Sequence, residues 1–332
     1  MSSRSDEMKF KPMSTAANSL IAVDAGGSKT AVWLVDLTKA EGDCVVGRGR
    51  STAGNPLSVG FEEATRAITE AVARAHDDAG RRVLTAGRAI LSIAGARERG
   101  LGRQFGEWGR AAGLAKEVAI VSDVLPVLAA GTPECCGVAL ISGTGSVAFA
   151  RGADGRTALR GGWGYLLGDE GSGFAIGRAA LQHTLEVLQA SAPGTALSDA
   201  VLDALKVKSV RELTAAIYKN SDPRATIAAI APLVAGVAER GDATARAVLS
   251  ACAGSLAELV RRAAAAVDLD EGPFSLAAAG GVFTGVKQLQ DELVAELKRL
   301  GLKCELQLVD NPLRGCVRLA APEVAGNLVT WT

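Results

Sequence analysis

The chain has 332 residues, room for two domains at about 150 residues each. Its 48% hydrophobic and 22% charged residues are those of a globular protein with a sizeable core. Lys+Arg and Asp+Glu number 36 each, so no net field draws nucleic acid or an anionic membrane, and neither is expected as a partner.

Six cysteines without a CxxC pair argue against a disulfide framework or a zinc site and suit buried thiols in a reducing, cytoplasmic compartment. No unbroken run of about 18 apolar residues is present. The opening MSSRSDEMKFKPMSTAAN mixes charge with Ser and lacks an apolar centre. Residues 1–18 therefore read as a disordered tail, not a signal peptide.

Alternation in SLIAVDAG, TAVWLVDL and DCVVGRG predicts strands Leu20–Asp24, Ala31–Asp36 and Cys44–Arg48. FEEATRAITEAVARAHDDAG then puts Phe61, Ala64, Ile68, Ala71, Val72 and Ala75 on one helical face and stops at Gly80. A strand in RAILSIAG, a helix across RERGLGRQFGEWGRAAG and a strand in EVAIVSD complete a β-β-β-α-β-α-β order. From Gly137 the order restarts, with strands in GVALISG, SVAFARG and TALRGG. An Ala-rich helical stretch over about 172–267 intervenes before FSLAAAGG, GVKQLQDELVAELKRLG and KCELQLV supply β-α-β. Two similarly folded lobes are expected, 19–130 and 131–332. The second carries the helical insertion, and the final helix is free to pack back on the first.

Each lobe opens with an apolar run, a cluster of Gly with Ser or Thr, and a second apolar run. Amide groups converging at such a tip, beside hydroxyls, form an anion nest that no bulky side chain blocks. One copy fits a plain hairpin equally well. Two copies at the start of matching units point to two jaws on one polyphosphate. The candidates are Gly26, Gly27, Ser28, Lys29 and Thr30 in the first turn and Gly143, Thr144 and Gly145 in the second. Lys29 fits a solvated hairpin residue as well. Asp24, at the end of the first strand, offers a carboxylate to Mg²⁺ or its water shell. No Walker GxxxxGK[ST] occurs.

Asp123, leaving the last strand of the first lobe, fits equally an N-cap and a proton acceptor in a crevice. GGWGYLLGDEGSG offers Trp163 and Tyr165 as apolar faces for a pyranose ring, while Asp169 and Glu170 precede a helix where acids serve as caps. Asn55 lies in a Gly/Pro loop where Asn forms turns. Gly280 and Gly281 end a strand before a helix.

These residues resemble the actin, hexokinase and heat-shock-chaperone superfamily through the paired turns, the duplicated lobes and AAAGGVFTG (Ala277–Gly285). More narrowly, ISGTGSV and GGWGYLLGDEGSGFAIG resemble the N-acetylglucosamine kinases grouped with the BadF/BadG/BcrA/BcrD ATPases. The likeness runs from about Leu20 to Gly326 and is densest over Leu140–Gly177. It implies an α/β protein of two ribonuclease-H-like lobes, the actin-like ATPase fold, with a nucleotide cleft between them. It further implies an ATP- and Mg²⁺-dependent kinase acting on the 6-hydroxyl of a small-molecule amino sugar, N-acetylglucosamine first and glucosamine or another hexose next, and a homodimer.

By that resemblance Asp123 is the general base and touches the sugar, and Asn55, Ser146, Gly162, Trp163, Gly164 and Asp169 bind the sugar. The two turns hold ATP phosphates, and Gly280 and Gly281 border the nucleotide. Two departures bear on selectivity at C2. Val147 stands where several relatives have a polar residue, and Arg97 follows shortly after Gly95, where an acidic residue is frequent.

Activators of acyl-CoA dehydratases share the nucleotide turns but hold a 4Fe–4S cluster through a Cys immediately before the second turn. ALISGTGS has no thiol there, and the adjacent Cys135 and Cys136 are poor partners for one cluster. A nucleotide-gated filament protein would have no use for Asp123 or the Trp163–Asp169 segment. Sugar kinases with a zinc-binding His/Cys motif are excluded because His76 and His183, the only histidines, read as helix residues.

Overall fold

The computed structural model describes residues 16–40, 42–82, 84–96 and 100–332. The tail expected over residues 1–15, and Arg97, lie outside the described residues. Ala16–Asn18, the end of that expected tail, form one 3₁₀ turn, and Asn18 O accepts the Leu37 N–H. The chain divides into two units. Unit 1 holds the described residues up to Ala130 together with Asn311–Thr332, and unit 2 is Gly131–Asp310.

Unit 1 runs β1 (Ser19–Ala25), β2 (Thr30–Asp36), β3 (Val45–Ser51), α1 (Phe61–Asp78), β4 (Ala86–Ile93), α2 (Leu101–Ala111), β5 (Ala115–Val121) and α3 (Val124–Gly131). Its sheet order is β3-β2-β1-β4-β5. The β1–β2 and β2–β3 pairs are antiparallel, whereas β1–β4 and β4–β5 are parallel. Leu20, Ile21, Ala22 and Val23 are consecutively buried, as befits a central strand covered on both faces. α1 packs on β2 and β3, and the C-terminal helix Leu313–Leu319 packs on β1 and β2. The chain end pairs with the edge strand β5 through mutual backbone bonds between Val118 and Thr332, which shields an otherwise open edge.

Of the apolar face read for α1 from its spacing, Ala64, Ile68, Ala71, Val72 and Ala75 are buried, while Phe61 is partly exposed. His76 is buried beside them, and neither ring nitrogen has a protein partner among the described residues. Burial, aided by the Arg81 charge and opposed by Asp77, lowers its pKa below the usual 6.5. The folded state therefore resists a proton that the unfolded chain takes up as pH falls through about 6.5. That contribution to stability is intact above this pH and is lost as pH drops through it toward the lower folded value. His76→Leu should raise Tm more at pH 5.5 than at pH 8. Calorimetry giving the same Tm difference at both pH values would remove the histidine as a source of acid sensitivity.

Unit 2 repeats the plan with β6 (Gly137–Ser142), β7 (Ser146–Arg151) and β8 (Thr157–Gly161). There follow α4 (Gly173–Leu188), α5 (Ala196–Leu205), α6 (Val210–Tyr218), α7 (Pro223–Ala228), α8 (Ala231–Glu239) and α9 (Ala243–Ala265). Then come β9 (Phe274–Ala279), α10 (Gly281–Gly285), α11 (Lys287–Arg299) and β10 (Cys304–Leu308). The sheet order β10-β9-β6-β7-β8, with β6–β7 and β7–β8 antiparallel and β6–β9 and β9–β10 parallel, matches unit 1 strand for strand.

Thus β1–β2 and β6–β7, with their Gly-rich tips, are topological equivalents. α9 has the length and mean hydropathy of a membrane span. It is nevertheless a core helix, with Leu249, Ala253, Leu256, Ala257, Val260 and Ala264 buried in the unit 2 core. None of the six thiols is in a disulfide among the described residues; Cys44, Cys135, Cys252 and Cys316 are buried and Cys136 and Cys304 are partly exposed, so burial is not general. Burial pushes the Cys252 pKa up to about 12, the signature of an inert thiol.

Candidate active site

In unit 1 the parallel strands deliver three residues to one edge. Asp24 on β1 is in register with Ser92 on β4, which is in register with Val121 on β5, two residues before Asp123. Carboxyl ends of parallel strands are where open α/β sheets place ligands. Asp24 is partly buried, and its pKa is pushed up to about 6, first by burial and then by the charge of Asp123, with Lys29 opposing. The two carboxylates therefore share one field. Asp123 accepts the Ser122 hydroxyl at 3.2 Å, so Ser122 engages the carboxylate.

The first turn closes by Gly26 N–H donating to Lys29 O at 2.9 Å, while Gly26 O accepts the Gly54 N–H at 3.0 Å. The Gly26 amide is thus engaged inside the turn and is not an outward donor. Gly27, Ser28 and Lys29 are exposed. Thr30 is fully buried, and its hydroxyl has no partner among the described residues. Asn55 caps the single turn Pro56–Val59, its Oδ1 accepting the Leu57 N–H at 2.9 Å. The turn role expected from sequence is present, and it leaves the Nδ2 donor of the same amide for a ligand.

In unit 2 the second turn is tied to a distant segment. Gly143 N–H donates to Gly145 O at 2.9 Å, and Gly143 O accepts the Gly173 N–H at 2.8 Å. Ser142 and Ser146 donate their hydroxyls to Gly171 O and Glu170 O at 2.9 and 2.6 Å. The Ser146 amide donates to Asp169 Oδ1 at 3.1 Å. Ser146 thus has both donors engaged and keeps only acceptor capacity. Asp169 is 2% exposed and sits at φ +63, a left-handed conformation that an Asp adopts at modest cost. Its Oδ2 accepts Nη2 of Arg224 at 3.0 Å. A Cβ on Gly145 would stand 2.6 Å from Asp169 Oδ1 and 2.9 Å from Arg224 Nη2, so a side chain there would have to displace this pair.

The cap of α4 is Ser172, accepting the Ala175 N–H, and not Glu170. Gly162 N–H donates to Ser146 O at 2.9 Å, and the ring of glycines from Gly162 to Gly168 lifts a loop into solvent. Trp163 is 67% exposed, with Leu166 and Leu167 more so. Val147 lies under Gly162, within 3.2 Å of where its Cβ would be. Tyr165 rests on Phe174, ring centroids 5.2 Å apart. Gly280, at φ +105, approaches so close to the end of β6 that a Cβ would stand 2.2 Å from Ser142 O, which accounts for that glycine by backbone packing. Gly281 is open to solvent at the start of α10.

Two features went unread in the sequence, the buried Ser92 hydroxyl, unpartnered among the described residues, and Arg224. The donor set around Asp24 and Asp123, carboxylates with hydroxyls and backbone oxygen, is all oxygen and suits a hard cation such as Mg²⁺. Gly27 and Ser28 are exposed at the turn that follows Asp24, where backbone amides suit phosphate oxygens. Among the described residues no three His, Cys, Asp or Glu cluster as a metal site.

An N-acetylmuramic acid/N-acetylglucosamine kinase of Clostridium acetobutylicum is 29% identical over 273 residues, covering 82% of this chain and 88% of that protein. An N-acetyl-D-glucosamine kinase of Dictyostelium discoideum is 30% identical over 275 residues, covering 79% of this chain and 84% of that protein. The crystal structure of a Chromobacterium violaceum protein, described as a candidate N-acetylglucosamine kinase, is 26% identical with a TM-score of 0.74, covering 92% of this chain and all of that one. The BadF/BadG/BcrA/BcrD ATPase family model matches residues 21–302. Because that match covers most of the chain, including both glycine-rich turns and nine of the ten strands in whole or part, the chain is a member of the BadF/BadG/BcrA/BcrD ATPase family, with its actin-like two-lobed ATPase fold.

Proposed function

We propose that this chain transfers the γ-phosphoryl group of ATP to the 6-hydroxyl of N-acetylglucosamine, giving N-acetylglucosamine 6-phosphate and ADP. The observation that carries the reading is the Asp24–Asp123 pair at the carboxyl edge of the unit 1 sheet, two acids coupled by charge. Phosphoryl transfer needs a cation on the phosphates and a group for the acceptor proton, and paired carboxylates in unlike surroundings divide such roles. The names of the Clostridium and Dictyostelium relatives support the sugar.

In this mechanism Asp24 would hold Mg²⁺ through its water shell. The bound ion supplies neutralisation of charge on the phosphate oxygens. Unit 1 would orient phosphates with the Gly27 and Ser28 amides and the Ser28 hydroxyl, helped by Lys29. Unit 2 would do so with Thr144 and Gly145. Asp123 accepts the proton from the sugar's 6-hydroxyl as the new O–P bond forms. Asn55, Trp163 and Asp169 would bind the pyranose, the indole offering its apolar face and the polar groups matching hydroxyls.

A coupled ADP-release assay tests this across N-acetylglucosamine, glucosamine, N-acetylmuramic acid and glucose, with a sugar-free control. The expected result is a kcat/KM for N-acetylglucosamine at least about tenfold above that for glucose, the order of one well-made polar contact. ADP release that no sugar stimulates would overturn the reading.

A further inference from the structure

The reaction proposed above leaves Arg224 unused. It occupies the second position of α7, after the Asp222 cap and Pro223. A cation there opposes the helix dipole, whose N-terminal end is positive, so local helix preference does not account for it. Its surroundings do. Nη2 donates to Asp169 Oδ2 at 3.0 Å. The guanidinium lies over the Tyr165 ring, 5.7 Å from its centroid. The same Nη2 is 2.9 Å from where a Gly145 Cβ would stand. One side chain from the helical insertion thus touches the Asp169 turn, the exposed loop and the phosphate turn. Its Nε is buried and has no partner among the described residues.

A plain counter-ion for Asp169 would not need a planar fork, and a lysine would serve. Holding a carboxylate at one edge and an aromatic face against the guanidinium plane is a property of arginine. The loop Gly162–Gly168 also needs such a hold. Its backbone ties run at its entrance, from Gly162 to Ser146, and within itself, from Leu167 and Gly168 to Gly164 O. In its middle, Tyr165 is held between Phe174 and Arg224.

Resting on the kinase reading, we propose that Arg224 is a positioning residue for the acceptor sugar, fixing the Asp169 carboxylate and the Tyr165 loop in one geometry. The helical insertion thereby becomes part of the acceptor site.

Steady-state kinetics and peptide-level hydrogen exchange on Arg224→Ala and Arg224→Lys test this. Arg224→Ala should lower kcat/KM for the sugar by about 30–100-fold, chiefly through its KM, with KM for ATP within about twofold. Peptides spanning 162–168 should exchange at least about fivefold faster while those of β6 and β9 are unchanged. Arg224→Lys, which restores charge without the fork, should recover less than about tenfold of the loss.

A sugar kcat/KM within about threefold of wild type in Arg224→Ala, or a loss shared equally by both substrates with faster exchange throughout unit 2, would overturn the proposal and leave Arg224 a structural counter-ion. If no sugar stimulates the wild-type chain, the kinase reading fails instead. The exchange measurement still decides, because an unchanged rate over 162–168 in Arg224→Ala overturns the positioning role.

Discussion

Asp123→Asn is expected to lower kcat by about 10²–10⁴-fold, the range for loss of a positioned general base, while ATP and sugar affinities stay within a few-fold. Asn keeps the shape and the capacity to accept from Ser122, whose hydroxyl reaches Oδ1 at 3.2 Å. It removes only the charge and the proton affinity. The loss corresponds to about 3–5 kcal/mol of barrier. Its companion effect falls on Asp24, whose pKa is held near 6 partly by the Asp123 charge. With that charge gone, Asp24 should titrate closer to an ordinary carboxylate and remain a full anion to lower pH. Calorimetric binding with single-turnover phosphoryl transfer separates these effects. A variant that binds both substrates and turns over at the wild-type rate would strike Asp123 from the base's role.

The parts of this molecule legible from sequence are those encoded locally. The duplicated β-β-β-α-β plan is written twice in runs of apolar residues broken by Gly with Ser or Thr, and both sheets follow it strand for strand. The face of α1 follows from 3.6-residue spacing. Legibility stops where a partner is distant. The Gly26 and Gly143 amides read as outward donors, but each closes its own turn, which only coordinates reveal. Glu170 read as a cap, yet Ser172 takes that place because Asp169 turns away at positive φ to meet Ser146 and Arg224.

Arg224 left one trace in the sequence. In SDPR a cation follows Asp and Pro into the first turn of a helix, against the dipole, and such breaches of a local rule mark places where a longer-range requirement prevails. Asn311–Thr332 likewise belong to unit 1 because Leu313, Cys316 and Leu319 are buried there, Cys316 lying against Val23 of β1. A seven-residue apolar helix carries no mark of which sheet it will cover.

Asp169→Ala should cost both stability and activity. The Asp169 side chain is buried and Arg224 is 30% exposed. Removing one partner of a fully buried pair costs about 3–5 kcal/mol, but solvent screens the arginine side here, so the ion-pair part is nearer 1–2 kcal/mol. The Ser146 amide, buried and left without its acceptor, adds about 1 kcal/mol. Together these lower Tm of unit 2 by about 5–10 °C. Activity should fall further than folding does, by about 10²–10³-fold in kcat/KM for the sugar, because the carboxylate that would meet the sugar hydroxyls is lost and a site built for a hydrogen bond is left unpaired.

Asp169→Asn distinguishes the two losses. It keeps an acceptor for Ser146 and forfeits the charge facing Arg224, so it should recover most of the Tm while recovering under about tenfold of the activity. If Asp169→Asn instead regains wild-type kcat/KM, the carboxylate serves only to anchor Arg224 and Ser146, and its proposed contact with the sugar falls.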